Sequence, residues 1–189
     1  MLLQRYVEFY PKVLPLRVVS TLIKYCSTLN FQQAQIDFGR VDESVRKVHN
    51  YRLDRRDKSL TAVHWGNFLS QKIFHAMNLY IHKNNFSKFY RLSEINQVEI
   101  LKYEKTYHYE YHVDAMSDVQ RTLSAILFLN NDYEGGDLHF SDTDLDAQNQ
   151  LLVKSSSGSL VVWPSNMLFP HAVSPVTKGT RYTIVAWAK

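Results

Sequence analysis

The spacing of apolar residues in this 189-residue chain changes near residue 92, and that change constrains the fold more than any other feature. Before it, apolar side chains recur at helical intervals. Leu16, Val19, Leu22, Ile23 and Cys26 make one face of a helix that starts near Pro15. Trp65, Phe68, Leu69, Ile73, Met77 and Leu79 to Ile81 make a second helix, ending near Asn84-Asn85. After residue 92 the pattern is that of strands, over 98–103, 109–113, 122–129, 137–140, 151–154, 159–163 and 181–187. Turn residues separate them, among them Asn130-Asn131-Asp132, Gly135-Gly136 and Lys178-Gly179. Short strands at this spacing predict an α+β, mainly β chain, an antiparallel sandwich or barrel with the helices packed on one outer sheet. The charged stretch between the helices, around Ser44-Val45-Arg46 and Tyr51-Arg52-Leu53, reads as a loop or a short exposed hairpin.

Composition narrows the function classes. With 45% hydrophobic and 21% charged residues the chain can bury a core. The net charge of +4 comes largely from Arg40 to Lys58, where seven basic residues face four acidic ones; this reads as a solvated loop. No recognition helix or finger spacing is present, so a nucleic-acid partner is not expected. Cys26 is the only cysteine and lies on an apolar helix face, which excludes an intramolecular disulfide. The apolar start is broken by Arg5, Glu8, Lys12 and Arg17. The uncharged run Ser155 to Thr177 contains Gly158 and three prolines. Neither reads as a signal peptide or membrane helix, so a cytoplasmic protein without a membrane partner is expected. Asp142, Asp144 and Asp146 alternate like calcium ligands but lack the glycine and terminal Glu of such a loop, and read as a solvated hairpin tip.

The sharpest chemical signal is His112-Val113-Asp114. On a strand, His112 and Asp114 project from the same face and supply an imidazole and a carboxylate side by side. A second His would complete a two-His-one-carboxylate facial triad, which leaves the opposite face of an octahedral metal open for cosubstrate and dioxygen. Of the eight histidines, His171 follows an apolar strand and precedes Arg181 by ten residues; His139 is the weaker candidate, and His75 and His82 belong to the second helix. Alternation places Arg181, Thr183, Val185 and Trp187 on one face of the last strand. If that face is the pocket, a guanidinium lies inside it, where its fork of donors matches a carboxylate.

From about Val98 onward the chain resembles the prolyl 4-hydroxylase branch of the iron(II)/2-oxoglutarate dioxygenases. The family pattern Y-x-x-G-x-x-Y-x-x-H-x-D is represented by Tyr103, Thr106, Tyr109, His112 and Asp114. The middle strand is Arg121 to Asn130, followed by Tyr133-Glu134-Gly135-Gly136-Asp137-Leu138-His139-Phe140. The close is Gly158 to Ser165, Pro170-His171-Ala172-Val173 and Gly179-Thr180-Arg181-Tyr182. Before Val98 the likeness is loose, in Ser44-Val45-Arg46, where relatives carry a mobile substrate lid.

The resemblance implies a double-stranded β-helix (jelly roll, cupin-like) with N-terminal helices on the major sheet. It also implies a single domain over 1–189, with helical support roughly 1–91 and a jelly-roll core roughly 92–189. The implied cofactors are Fe(II), 2-oxoglutarate and O2, with ascorbate as a reductant. His112, Asp114 and His171 become the metal ligands. Arg181 becomes the holder of the distal carboxylate of 2-oxoglutarate, with Tyr103, Ser124 and Thr183 as further cosubstrate contacts. Tyr109, Trp187 and Arg46 fall on the substrate side. The implied reaction is oxidative decarboxylation of 2-oxoglutarate coupled to hydroxylation, foremost of prolyl residues in a peptide or protein. The alternatives are the same chemistry on a free amino acid or small molecule, and a non-catalytic binding module on the same fold. Two departures stand out: Thr106 replaces a glycine, which predicts a different turn conformation, and Phe128 replaces a tyrosine that in some relatives helps bind 2-oxoglutarate.

Overall fold

The computed structural model describes residues 3–36, 39–54, 57–116, 119–141, 150–154 and 156–189. The Asp142, Asp144 and Asp146 tip, Arg55 and Arg56 of the basic run, and Ser155 lie outside the described residues. Helices α1 (Leu16–Cys26) and α2 (Leu60–Lys83) answer to the two apolar periodicities. Helix α2 opens at Ser59, whose hydroxyl accepts the Ala62 N–H at 3.3 Å and satisfies a donor the first turn would leave unpaired. Its buried positions Ala62, Trp65, Leu69, Ile73, Ala76 and Tyr80 recur at intervals of three and four, while His64, His75 and His82 are exposed.

The strands, in chain order, are β1 (Glu8–Tyr10), β2 (Gln32–Gln33), β3 (Arg46–Lys47), β4 (His49–Arg52), β5 (Ile95–Tyr103), β6 (His108–His112) and β7 (Leu123–Phe128). They continue as β8 (Glu134–Gly135), β9 (Leu138–Phe140), β10 (Leu151–Val153), β11 (Leu160–Pro164), β12 (His171–Val173), β13 (Val176–Lys178) and β14 (Arg181–Ala188). A seven-stranded major sheet runs β1-β11-β7-β14-β5-β4-β2 and a five-stranded minor sheet runs β10-β9-β12-β6-β3. A ribbon of β13 and β8 completes the pairing, and the ladders are antiparallel. This is the double-stranded β-helix expected from the sequence.

Two cores follow from strand alternation. Ile100, Leu127 and Ile184 face the helices and pack with Leu22, Leu69 and Ile73. Leu101, Ile126, Val185 and Trp187 face the minor sheet and pack in the cluster that holds Leu138 and Phe140. Each fully buried side chain of this size contributes roughly 1.5–3 kcal/mol, so the helix-facing layer is what makes the major sheet a rigid floor for the other.

The structure corrects two expectations. The stretch between the helices is not an exposed hairpin: β3 pairs with β6 in the minor sheet and β4 with β5 in the major one. Val48, between them, is wholly buried, and Leu53 nearly so. A backbone crossing between two sheets satisfies its amides in both, which a solvated loop does not require. The N-terminal half therefore supplies strands as well as helices. Nor does Thr106 re-route its turn. Its φ of 74° lies in the left-handed region that favours glycine, so the turn keeps a glycine-like backbone under strain. Thr106 N–H donates to the Val176 carbonyl at 2.8 Å, which holds it there.

Candidate active site

His112 ends β6, Asp114 follows two residues on, and His171 opens β12 directly opposite His112 in the ladder. Their ligand-type atoms lie within 4.8 Å of one another, the one such cluster among the described residues. A bulge on β6 sets this geometry: His171 pairs with His112 and Val173 with Tyr109, so two residues of β6, Glu110 and Tyr111, stand opposite one of β12, Ala172. The bulge brings Tyr109 onto the pocket side, where its ring stacks on His112 at 3.5 Å. Arg46 of β3 covers the far face of that tyrosine at 4.8 Å.

The atoms fit a divalent metal. A backbone carbonyl accepts only, so His112 Nδ1–H donates to Glu110 O (2.8 Å) and His171 Nδ1–H donates to Phe169 O (3.1 Å). Both Nε2 atoms are thereby left with lone pairs for a ligand bond, the usual arrangement around a bound metal. Asp114 Oδ2 is buried without a hydrogen-bond partner and lies 3.6 Å from His171 Nε2. Burial holds the His112 pKa down at about 3, with the neighbouring His171 adding to it. Burial pushes the Asp114 carboxyl up, but His171, His112 and the Ser124 hydroxyl outweigh it and hold it below the ordinary range. His112 is thus poised as a neutral imidazole beside the Asp114 carboxylate, the protonation states that binding a divalent cation needs. Phe140 and Trp163 box in the His171 ring at 5.4 and 4.9 Å.

Arg181, at the start of β14, is wholly buried. One nitrogen donates to Thr183 Oγ1 at 3.3 Å, while Nε and Nη2 have no partner among the described residues. The guanidinium lies 4.9 Å over the Tyr103 ring and 5.6 Å over that of Phe128. Aromatic faces solvate a cation without neutralising it, so this group awaits an acceptor with two oxygens. Tyr103, also buried, has its pKa raised by desolvation against the lowering effect of Arg181. Gly136, at φ 63°, brings its backbone against this arginine: a Cβ there would sit 3.0 Å from Arg181 Cδ.

A cavity of about 840 Å³ has Tyr103, Tyr109, His112, Asp114, His171 and Trp187 in its wall; Arg181 does not line it and adjoins it through Tyr103, over whose ring it lies. Arg46 lines it too, as the sequence suggests for a substrate-side residue. Ser124 and Thr183 face inward as alternation predicts, yet neither lines the cavity. Ser124 Oγ is bonded to Ser165 Oγ at 2.6 Å and backs Asp114, and Thr183 steadies Arg181. In the structure both stand behind the cavity wall, Ser124 against Asp114 and Thr183 against Arg181. His139 pairs with Ala172, the neighbour of His171, and stands outside the cluster.

Sequence reasoning assigned no role to Arg121, Gln97 or Glu99, all of which line the cavity. Arg121 lies 3.9 Å over the Trp187 ring and donates to the Asp114 carbonyl at 3.3 Å. The signal for Glu99 was present: on β5 it shares the face of Leu101 and Tyr103, an acidic residue at an inward position.

Residues 98–189 match the model of the 2OG-Fe(II) oxygenase superfamily. A PKHD-type hydroxylase of Shewanella oneidensis is 42% identical over 85 residues, covering 43% of this chain and 35% of that protein. Prolyl 3-hydroxylase 1 of Gallus gallus is 46% identical over 68 residues, 35% of this chain and 9% of that one. The chain thus spans about a third or less of the length of these relatives. A Pseudomonas putida prolyl-4-hydroxylase superposes with a TM-score of 0.72 at 22% identity, covering 96% of this chain and 91% of that one. A Trichoplax adhaerens prolyl hydroxylase, solved with a hypoxia inducible factor peptide, gives 0.74 at 16% identity, covering 97% and 83%. Fold and site together define an iron(II)/2-oxoglutarate oxygenase-like chain. Its C-terminal half carries the pattern of that superfamily, and the likeness to the prolyl 4-hydroxylase branch read from the motifs is borne out. No described helix is long and apolar enough to cross a membrane.

Proposed function

We propose that this chain is an iron(II)- and 2-oxoglutarate-dependent oxygenase, one domain over 1–189, that hydroxylates prolyl residues in a peptide or protein. The observation that carries the reading is the conjunction of His112, Asp114 and His171 within 4.8 Å and a wholly buried Arg181, two of whose nitrogens have no hydrogen-bond partner among the described residues. His112 Nε2, Asp114 Oδ2 and His171 Nε2 would hold the iron, and Arg181 would take the distal carboxylate of 2-oxoglutarate with Tyr103 beside it. When bound, iron with 2-oxoglutarate and dioxygen supplies the oxidising power for C–H hydroxylation, with ascorbate as a reductant that keeps the metal ferrous.

The chain's own part is orientation and exclusion. Carbonyls of Glu110 and Phe169 fix the imidazole tautomers, Ser124 backs the carboxylate, and Thr183 aims the guanidinium. Tyr109, Phe140 and Trp163 shield the imidazoles from water, and the 840 Å³ cavity leaves room for a peptide segment beside the cosubstrate.

Anaerobic titration with Fe(II) and 2-oxoglutarate tests the reading, through the weak visible charge-transfer band of the chelate and through succinate formed with oxygen and proline-rich peptides. His171→Ala abolishes both signals and His139→Ala neither. A wild-type protein that gives no band and no succinate overturns the oxygenase reading.

A further inference from the structure

The cavity holds a second buried charge that the proposed iron and cosubstrate do not use. Glu99 is 6% exposed and lines the cavity from β5. Its Oε2 accepts from Asn50 Nδ2 at 3.1 Å and its Oε1 from Gln97 Nε2 at 2.6 Å, the acceptor pattern of a carboxylate. Both partners are neutral amides, and no cation lies within ion-pairing distance of Glu99 among the described residues. Arg121 feels the charge of Glu99, which favours its charged form, without forming an ion pair with it. It lies over Trp187, donates to the Asp114 carbonyl, and reaches only Gln97 Oε1, at 3.5 Å.

A buried carboxylate solvated by amides but not neutralised is costly unless a ligand brings the opposite charge. Arg181 poses the same problem with the opposite sign, and there the cosubstrate's carboxylate answers it. The wall around Glu99 is polar and built to hold a charged head group: Gln32, Gln33 and Asn50 line the cavity on the same side. Gln97 also lines a second hollow of about 340 Å³, where Arg52, Asp54 and Glu94 stand together and Glu94 pairs with Lys189 at 3.0 Å.

We infer that Glu99 is a specificity residue that receives an alkylammonium or guanidinium group of the substrate, carried near the carbon to be hydroxylated. This rests on the oxygenase reading and deepens it. The cation comes either from a lysine or arginine side chain close to the target residue of a peptide, or from a free basic amino acid. Amide donors from Asn50 and Gln97 keep the carboxylate oriented while its remaining lone pairs accept the substrate's N–H groups.

The test is calorimetric titration of the protein loaded with Mn(II) and 2-oxoglutarate, which permits binding without turnover. Proline peptides carrying lysine, acetyl-lysine, norleucine or glutamate at each flanking position are compared with free lysine and arginine. The lysine peptide binds on the order of tenfold tighter than its acetyl-lysine twin, and in Glu99→Gln that ratio falls to near one. Free amino acids binding in place of peptides assign the cation to a small substrate. Equal affinities for lysine and acetyl-lysine in the wild type overturn the inference. So does a Glu99→Gln protein that weakens all peptides while keeping the lysine ratio. If Glu99→Gln does not load, Glu99→Asp takes its place, and a preserved but smaller preference supports the assignment. Loading is read first from its own titration heat: a wild type that does not load counts against the oxygenase reading, whereas a wild type that loads and shows no lysine preference counts against Glu99 alone.

Discussion

Arg181 and Asp114 are both buried, and both present atoms without partners among the described residues. Replacing Arg181 with Ala should raise the 2-oxoglutarate KM by about a hundredfold, because a charge-assisted pair in a dry site is lost while the metal ligands stay. An unchanged KM removes its role. Ser124→Ala separates a direct cosubstrate contact from the supporting one seen here. Metal affinity should fall roughly tenfold, with little change in the 2-oxoglutarate requirement of fully loaded enzyme; the reverse split would restore the direct contact. Thr106→Gly should stabilise the fold by on the order of 1 kcal/mol, since a β-branched residue at positive φ is strained, as measured by urea denaturation. The cluster of His112, Asp114 and His171 and the inward position of Arg181 were readable from sequence because such chemistry admits few residue types. Ser124 falls on the face that alternation predicts, but its bond to Ser165 was not legible, because alternation says which side a hydroxyl faces and nothing about what stands beside it.

At the scale of elements, the edge strand β1 is tied to the end of α2 through one carboxylate. Glu8 accepts from Lys83 Nζ (2.9 Å), Asn84 Nδ2 (2.7 Å) and Tyr10 Oη (2.8 Å), and is itself buried. Burial pushes its pKa up, but these donors outweigh it and hold it below the ordinary value. A folded-state pKa below the unfolded one means the unfolded chain binds the proton more readily, so this contribution is present above the ordinary carboxylate range and is lost as pH falls through the lowered value. The wild type should lose stability over that acidic window. Glu8→Gln should flatten the window and cost about 1–3 kcal/mol at neutral pH through the mismatched donors, read as midpoint shifts in denaturant at a series of pH values. Strands of two residues such as β2 and β3 carry no period of their own and exist because a neighbouring strand pairs with them. That is why the segment between the helices reads as a loop, whereas the nine-residue β5 and eight-residue β14 are visible in their alternation.

For the whole molecule, the ligand set comes from two segments of the minor sheet and the guanidinium from the major one, so anything that binds them clamps the sandwich. A divalent metal at a hundred times its Kd should raise unfolding free energy by about 2.7 kcal/mol, and His112→Ala should abolish the shift; equal shifts in both proteins would place the metal elsewhere. The bulge on β6 has a consequence for chain length. His112 faces His171, and Tyr109 faces Val173, because the ladder pins both pairs. Glu110, one of the two residues of the bulge, also supplies the carbonyl that accepts from His112 Nδ1–H, so removing a residue there should keep both pairs but release the imidazole from that hydrogen bond. A protein one residue shorter in that strand should thus keep the two imidazoles facing each other and bind a divalent metal more weakly, as a metal titration would show.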